Sequence, residues 1–266
     1  MVKIGFYQFD PKFKKVDENC DKIIKTLNRV KGDIIILPEL AFTGYNFRDR
    51  KELESVAENP KNSNVVKKIT SLCSENNFYI ITGFAEKAGP EIFNSALLIG
   101  PGGLIHIYRK IHLFNREKLY FDPGNKPLKV IEIKGIKIGI MICFDWIFPE
   151  VARSLAILGA EVICQPANLI LTYCQNVMLT RCLENRVFSV TANRVGREIF
   201  KHDSLEFTGQ SQIVAPNGDL LYRANSKKEL IYIHDIDQKE ALNKNITKFN
   251  NIFDDRQPNF YKTLCI

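Results

Sequence analysis

Residues 136–150 read IKIGIMICFDWIFPE. From Ile136 to Ile142 branched aliphatic residues recur around Lys137 and Gly139, the pattern of a strand bounded by a glycine turn. That strand runs straight into Cys143, and Pro149 opens a helix within a few residues. A thiol at such a junction is expected near the free N–H groups of a helix start, which favour its ionised, nucleophilic form.

Outward from this stretch, strands and helices alternate along the chain. Strands are predicted at 2–8, 33–37, 78–86, 92–99, 104–110, 128–133, 161–165, 188–194, 211–214, 220–223 and 229–235. The run from Asp33 to Leu37 is continuously apolar, as in a strand buried on both faces. Helices are predicted over 17–31 and 62–77, where Ile23, Ile24, Leu27, Val30 and Val65, Val66, Ile69, Leu72 recur at helical spacing, then from Pro149 and over 174–187. Pro-Asn-Gly-Asp at 216–219 makes a hairpin turn. Interleaving of this kind predicts an α/β layered sandwich with helices outside two sheets, and no linker or repeat divides residues 1–266. One domain is therefore expected.

Composition excludes several classes. The net charge of +7 is spread thinly, which argues against a nucleic-acid partner. The longest apolar runs are strand-sized, so no membrane partner is expected. Seven scattered cysteines, no CxxC and no export signal point to reduced thiols in the cytoplasm rather than a disulfide framework. The four histidines lie far from any close cysteine pair, so no metal site is expected.

Two further strand exits carry chemistry-bearing side chains. Glu39 follows the buried strand 33–37 after Pro38, and Lys110 closes the strand LIHIYRK. Carboxyl ends of strands are where α/β sheets place ligand sites. Alone, each reads as a solvated charge and Cys143 as a packing thiol. Together they supply a base, a cation and a nucleophile.

These segments resemble the nitrilase, or carbon–nitrogen hydrolase, superfamily. The resemblance is carried by LPELAFTGY (37–45), YRKIHLFNREKLYFDPG (108–124) and GIMICFDWIFPEVAR (139–153), and more weakly by ICQPANL and ENRVFSVTANRVG. Glu39 precedes Lys110 by 71 residues, and Lys110 precedes Cys143 by 33, an order and spacing that agree with the family. The resemblance implies a four-layer α-β-β-α sandwich that dimerises through its helical outer layer. It also implies a catalytic triad: Glu39 as general base and acid, Cys143 as nucleophile, and Lys110 stabilising the oxyanion with the backbone N–H of Phe144. Glu117 matches a fourth catalytic glutamate, orienting Lys110 or the substrate's amino group. Tyr45, Phe144, Trp146 and Asn168 match pocket positions, Asp145 reads as a structural residue of the elbow, and Glu184 and Asn185 read as scaffold. Arg153 and Arg194 are open candidates for a substrate carboxylate or for surface charges. No cofactor is needed.

True nitrilases of the family usually carry Trp-Glu after the nucleophile, whereas this chain has Phe144-Asp145. The resemblance therefore implies an amidase acting on a small linear amide: an ω-amide, an N-carbamoyl amine or an aliphatic amide. A nitrilase acting on short aliphatic nitriles is the alternative. A non-catalytic scaffold need not hold all three residues, and a thiol redox protein would need the missing CxxC. The tail 251–266, with Phe253, Phe260, Tyr261 and Leu264, is expected to pack on its own subunit or on a partner in a homodimer or larger assembly.

Overall fold

The structure, a computed structural model, describes residues 1–200 and 203–265, so that His202 and Ile266 lie outside the described residues. Two six-stranded sheets face each other. The first runs in the order β14 (Leu230–Ile236), β1 (Val2–Gln8), β2 (Ile34–Ile36), β3 (Tyr79–Ala88), β4 (Glu91–Gly100), β5 (Gly103–Arg109). The second runs β13 (Leu220–Arg223), β12 (Gln212–Val214), β9 (Phe188–Asn193), β8 (Val162–Ala167), β7 (Ile136–Ile140), β6 (Val130–Ile133). Each sheet has three parallel strands inside antiparallel flanks: β1, β2 and β3 in one, β7, β8 and β9 in the other. Strands β2, β8 and β9 are buried along their whole length, as apolar strands covered on both faces must be.

Helices α1 (Val16–Leu27) and α3 (Asn64–Asn76) cover the first sheet, and α4 (Pro149–Ile157) and α5 (Cys174–Asn185) cover the second. The result is the α-β-β-α sandwich. In α1 the buried Cys20, Ile23 and Leu27 form one stripe. In α3 the Ser63 hydroxyl accepts the Val66 N–H at the start, and Asn77 closes the end in the left-handed conformation with φ +52°. A short helix α2 (Arg50–Glu54) and a two-stranded hairpin, β10 (Arg197–Phe200) with β11 (Asp203–Glu206), were not predicted. Both are short and rich in charge, which leaves no periodic apolar signal.

Topology carries three strand exits to one rim. Strand β4 is antiparallel to β3, and β5 is antiparallel to β4, so β5 points the same way as β2 and β3. Lys110 therefore leaves its sheet at the end where Glu39 leaves β2. Across the sandwich, β7 delivers Cys143 and its parallel neighbour β8 delivers Asn168.

Candidate active site

Glu39, Lys110 and Glu117 form a fully buried charge cluster. Lys110 Nζ donates to Glu39 Oε1 at 2.7 Å and to Glu117 Oε1 at 2.9 Å. Glu117 sits in a 3₁₀ turn, Asn115–Leu119. Its Oε1 also accepts from the Tyr45 hydroxyl at 2.6 Å, and its Oε2 accepts the Phe114 N–H at 3.1 Å. Glu39 Oε1 has a second donor, Asn94 Nδ2 at 2.7 Å, whereas Oε2 is buried with no partner among the described residues.

Cys143 lies at a backbone elbow. Strand β7 stops at Ile140, two residues short of the predicted end, and Cys143 opens a 3₁₀ turn to Ile147 with φ +42°. Asp145 holds this turn as expected. Its Oδ2 accepts the Ile142 N–H at 2.9 Å and the Tyr108 hydroxyl at 2.7 Å, while Oδ1 accepts the His112 N–H and contacts His112 Nδ1 at 2.8 Å. The His112 ring stacks on Phe148 at 3.7 Å between centroids. Gln165 Nε2 donates to the Cys143 carbonyl at 3.0 Å, and the Asn168 backbone N–H bonds to the sulfur. Left-handed non-glycine residues mark each part of the site: Leu40 follows Glu39, Asn115 precedes Glu117, and Cys143 is itself one. Such conformations persist only where the surroundings over-determine them.

The electrostatics follow from burial. Burial alone would lower the Lys110 ammonium, but Glu117 and Glu39 outweigh it and hold it well above the usual lysine range. Burial, with the charge of Glu39 adding to it, raises the Glu117 carboxyl against the opposing pull of Lys110. Burial and the Glu117 carboxylate push the Tyr45 phenol well up, so it stays a neutral donor. Cys143, 5% exposed, is pushed well above the usual thiol range by burial and then by Glu39, against the opposing Lys110. This corrects the expectation of an ionised thiol at a helix start. The turn is a single 3₁₀ turn, and desolvation beside a carboxylate outweighs its N–H groups. The same burial favours the protonated sulfur.

An open recess with about 250 Å³ of empty space reaches the sulfur. Cys143, Phe144, Trp146, Asn168 and Phe114 line it, together with Leu169, Ile170 and Leu171. Neither polar atom of the Asn168 side chain, 3% exposed, has a partner among the described residues. Phe114 and Ile170 also border a larger cavity of about 600 Å³, walled by Tyr45, Asn46, Asn115, Arg116, Tyr120, Ser204 and Leu205. The structure thus gathers Glu39, Lys110, Glu117 and Tyr45 into one cluster, and Phe144, Trp146 and Asn168 around the recess with Cys143.

Other residues fall elsewhere. Arg194 is fully buried in ion pairs with Asp10 and Glu198, its guanidinium over Phe207, and Arg153 bonds the Glu184 carbonyl; neither lines the recess or the cavity beside it. Glu184 pairs with Arg181, and the Asn185 side-chain amide donates to the Arg181 carbonyl of the same helix, in keeping with scaffold. Cys164, Cys174 and Cys182 are buried packing thiols. Sequence reasoning missed Asn94 and the Tyr108–His112–Asp145 network. A polar residue inside the otherwise apolar strand EIFNSALLIG was the available signal for Asn94.

Residues 3–242 match the family model of the carbon–nitrogen hydrolases. The chain belongs to that family. This carbon–nitrogen hydrolase is 40% identical to a nitrilase of Pyrococcus abyssi over 98% of this chain and 99% of the relative. It is 30% identical to an N-carbamoylputrescine amidase of Arabidopsis thaliana, over 92% of this chain and 88% of that one. Its fold matches that of an amidase from Nesterenkonia sp. AN1 with a TM-score of 0.82 at 20% identity, over 99% of this chain and 100% of that one. That structure shows Michael addition of acrylamide at its active-site cysteine. Among the described residues of the hydrolase, no helix is long and apolar enough to cross a membrane.

Proposed function

We propose that this hydrolase cleaves a small linear amide to a carboxylic acid and ammonia or an amine, through a thioester on Cys143. The observation that carries the reading is an asymmetry between two carboxylates sharing one lysine. Three of the four oxygens of Glu39 and Glu117 have donors, and Glu39 Oε2 has none among the described residues. It is the free basic atom in a cluster whose charge acts directly on a protonated, buried thiol.

In this reading Glu39 Oε2 takes the Cys143 proton as Sγ bonds to the amide carbon. The carbonyl π pair moves onto oxygen, where Lys110 and the Phe144 N–H receive it. Collapse breaks the C–N bond while Glu39 returns the proton to nitrogen, and a water deprotonated by Glu39 then opens the thioester. Glu117, with both oxygens occupied, holds Lys110 in place. The apolar walls of the recess beside Cys143 (Phe114, Phe144, Trp146 and Leu169) favour a small substrate. The likeness to N-carbamoylputrescine amidases and to an (R)-stereoselective amidase of Pseudomonas sp. supports the amide substrate, as does Phe144-Asp145 after the nucleophile.

Mass spectrometry of the parent enzyme, acid-quenched during turnover of short aliphatic amides, is expected to find an acyl adduct on Cys143. An adduct elsewhere, or full turnover by Cys143→Ala, would sink the reading. The likeness to the P. abyssi nitrilase favours a second substrate class, short nitriles. Ammonia release from an amide and a nitrile of the same carbon skeleton separates the two.

The reading also takes residues 1–266 as one cytoplasmic hydrolase domain working as a homodimer or larger assembly. Phe253 of the tail packs between Arg153 and Lys244, while Phe260 and Leu264 stay exposed on the subunit, as residues awaiting a partner would.

A further inference from the structure

The proposed base carries two oxygens in unlike surroundings, and Asn94 is what makes them unlike. Asn94 is the fourth residue of β4 and is fully buried, with the rest of the strand beyond Glu91. Its Nδ2 donates to Glu39 Oε1 at 2.7 Å, and its backbone carbonyl accepts the Lys110 N–H at 2.8 Å. One residue therefore ties together the exits of β2 and β5. The side-chain amide has only one sensible orientation. Turned over, it would set Oδ1 against a carboxylate oxygen, acceptor against acceptor.

We propose that Asn94 is a positioning residue that fixes the plane of the Glu39 carboxylate and leaves Oε2 as its one basic atom. The inference rests on the reading of Glu39 as general base. The last torsion of a glutamate is broad, so a single donor holds the carboxylate plane loosely. Two donors on one oxygen, from Asn94 on β4 and Lys110 after β5, fix that plane and occupy both lone pairs of Oε1. Protonation is then directed to Oε2. Asn94 holds this place at a local cost, because its own Oδ1 is buried with no partner among the described residues. An apolar side chain would leave no such orphan. The amide is thus explained by Glu39 and not by packing.

The test uses alkylation of Cys143 by iodoacetamide, followed across pH by mass spectrometry, which needs no knowledge of the natural substrate. Asn94→Asp keeps the shape and replaces the donor with an acceptor, and Asn94→Ala removes it; melting temperatures verify that both fold. A base held out of line by an ångström loses about 100-fold in rate, so a fall of about 10- to 100-fold is expected in both variants. The acid limb of the profile should also shift, because the carboxylate beside the thiol has lost one of the two donors that fix it. Folded Asn94→Asp with the parent rate and limb overturns the inference. So does a slower rate with the limb unmoved, which marks a merely structural role. Glu39→Gln serves as the control. If it alkylates at the parent rate, the reading of Glu39 as base falls and takes this inference with it. If it is slow while both Asn94 variants behave as the parent, only the positioning role falls.

Discussion

Replacing Lys110 with methionine removes the one cation from a cluster in which lysine and both carboxylates are fully buried. Methionine fills a similar volume, so the change is mainly one of charge. Glu39 would keep Asn94 as donor, and Glu117 would keep Tyr45 and the Phe114 N–H, but two negative charges would share a dry site. Breaking a buried pair in this way costs about 3–5 kcal/mol. At 266 residues a destabilisation of 1 kcal/mol lowers the melting temperature by about 2 °C, so a fall of about 6–10 °C is expected at pH 8. The sign with pH follows from Glu117, whose carboxyl is already raised by burial and loses the cation that opposed the rise. A carboxyl raised above its unfolded value stabilises most at low pH and withdraws that stability as pH rises through the folded value. The deficit should therefore be smaller at pH 5 than at pH 8. Lys110→Met/Glu117→Gln should recover part of it without recovering activity. Scanning calorimetry of the three proteins at both pH values decides. A single variant that melts like the parent at pH 8, or a deficit equal at both pH values, refutes the account of this cluster as an uncompensated charge.

Other outcomes follow from backbone packing and from the thiols. A Cβ on Gly83 would stand 2.2 Å from the Leu40 nitrogen and 2.4 Å from the Glu39 Cα. Gly83→Ala should therefore move Glu39 and depress turnover about 10²-fold, and steady-state kinetics with an unchanged turnover number would refute this. Burial pushes Cys20, Cys73, Cys174 and Cys182 up to about 12 and also raises Cys143 and Cys164. Above the unfolded thiol value of about 8.5, each retains a proton that the unfolded chain has lost, and each withdraws about 1.4 kcal/mol per pH unit. Lys244, pushed down to about 8 by burial, acts in the opposite sense but is one group against six. Stability from urea titration should fall steeply from pH 8.5 to 10, and a flat profile would contradict the burial of the thiols.

The layered sandwich was legible because both sheets are built from strands with plain patterns, IIIL in one and IGIMI in the other. Glu39, Lys110 and Cys143 were legible because each follows such a strand, and the parallel order of β2 and β5 brings two of those exits to one rim. What sequence could not supply is how the cluster is closed. Nothing in Leu40, Asn115 or Cys143 announces a left-handed backbone, since that conformation is imposed by the packing around each. Nor does the motif disclose that Cys143 is buried beside a carboxylate, which reverses its expected ionisation. The arginines were ambiguous for a similar reason. Arg194 is fully buried, but its partners are Asp10, 184 residues away in the sequence, and Glu198 on the β10–β11 hairpin.

Enclosure of Glu39, Lys110 and Glu117 away from solvent has a consequence for traffic through the site. In the proposed mechanism a hydrogen ion lifted from the sulfur would pass to the buried Glu39 carboxylate, and the departing nitrogen would carry it away. On that reading the first half of the cycle would neither take up nor release a hydrogen ion overall, and the second would draw one from the water that cuts the acyl chain free.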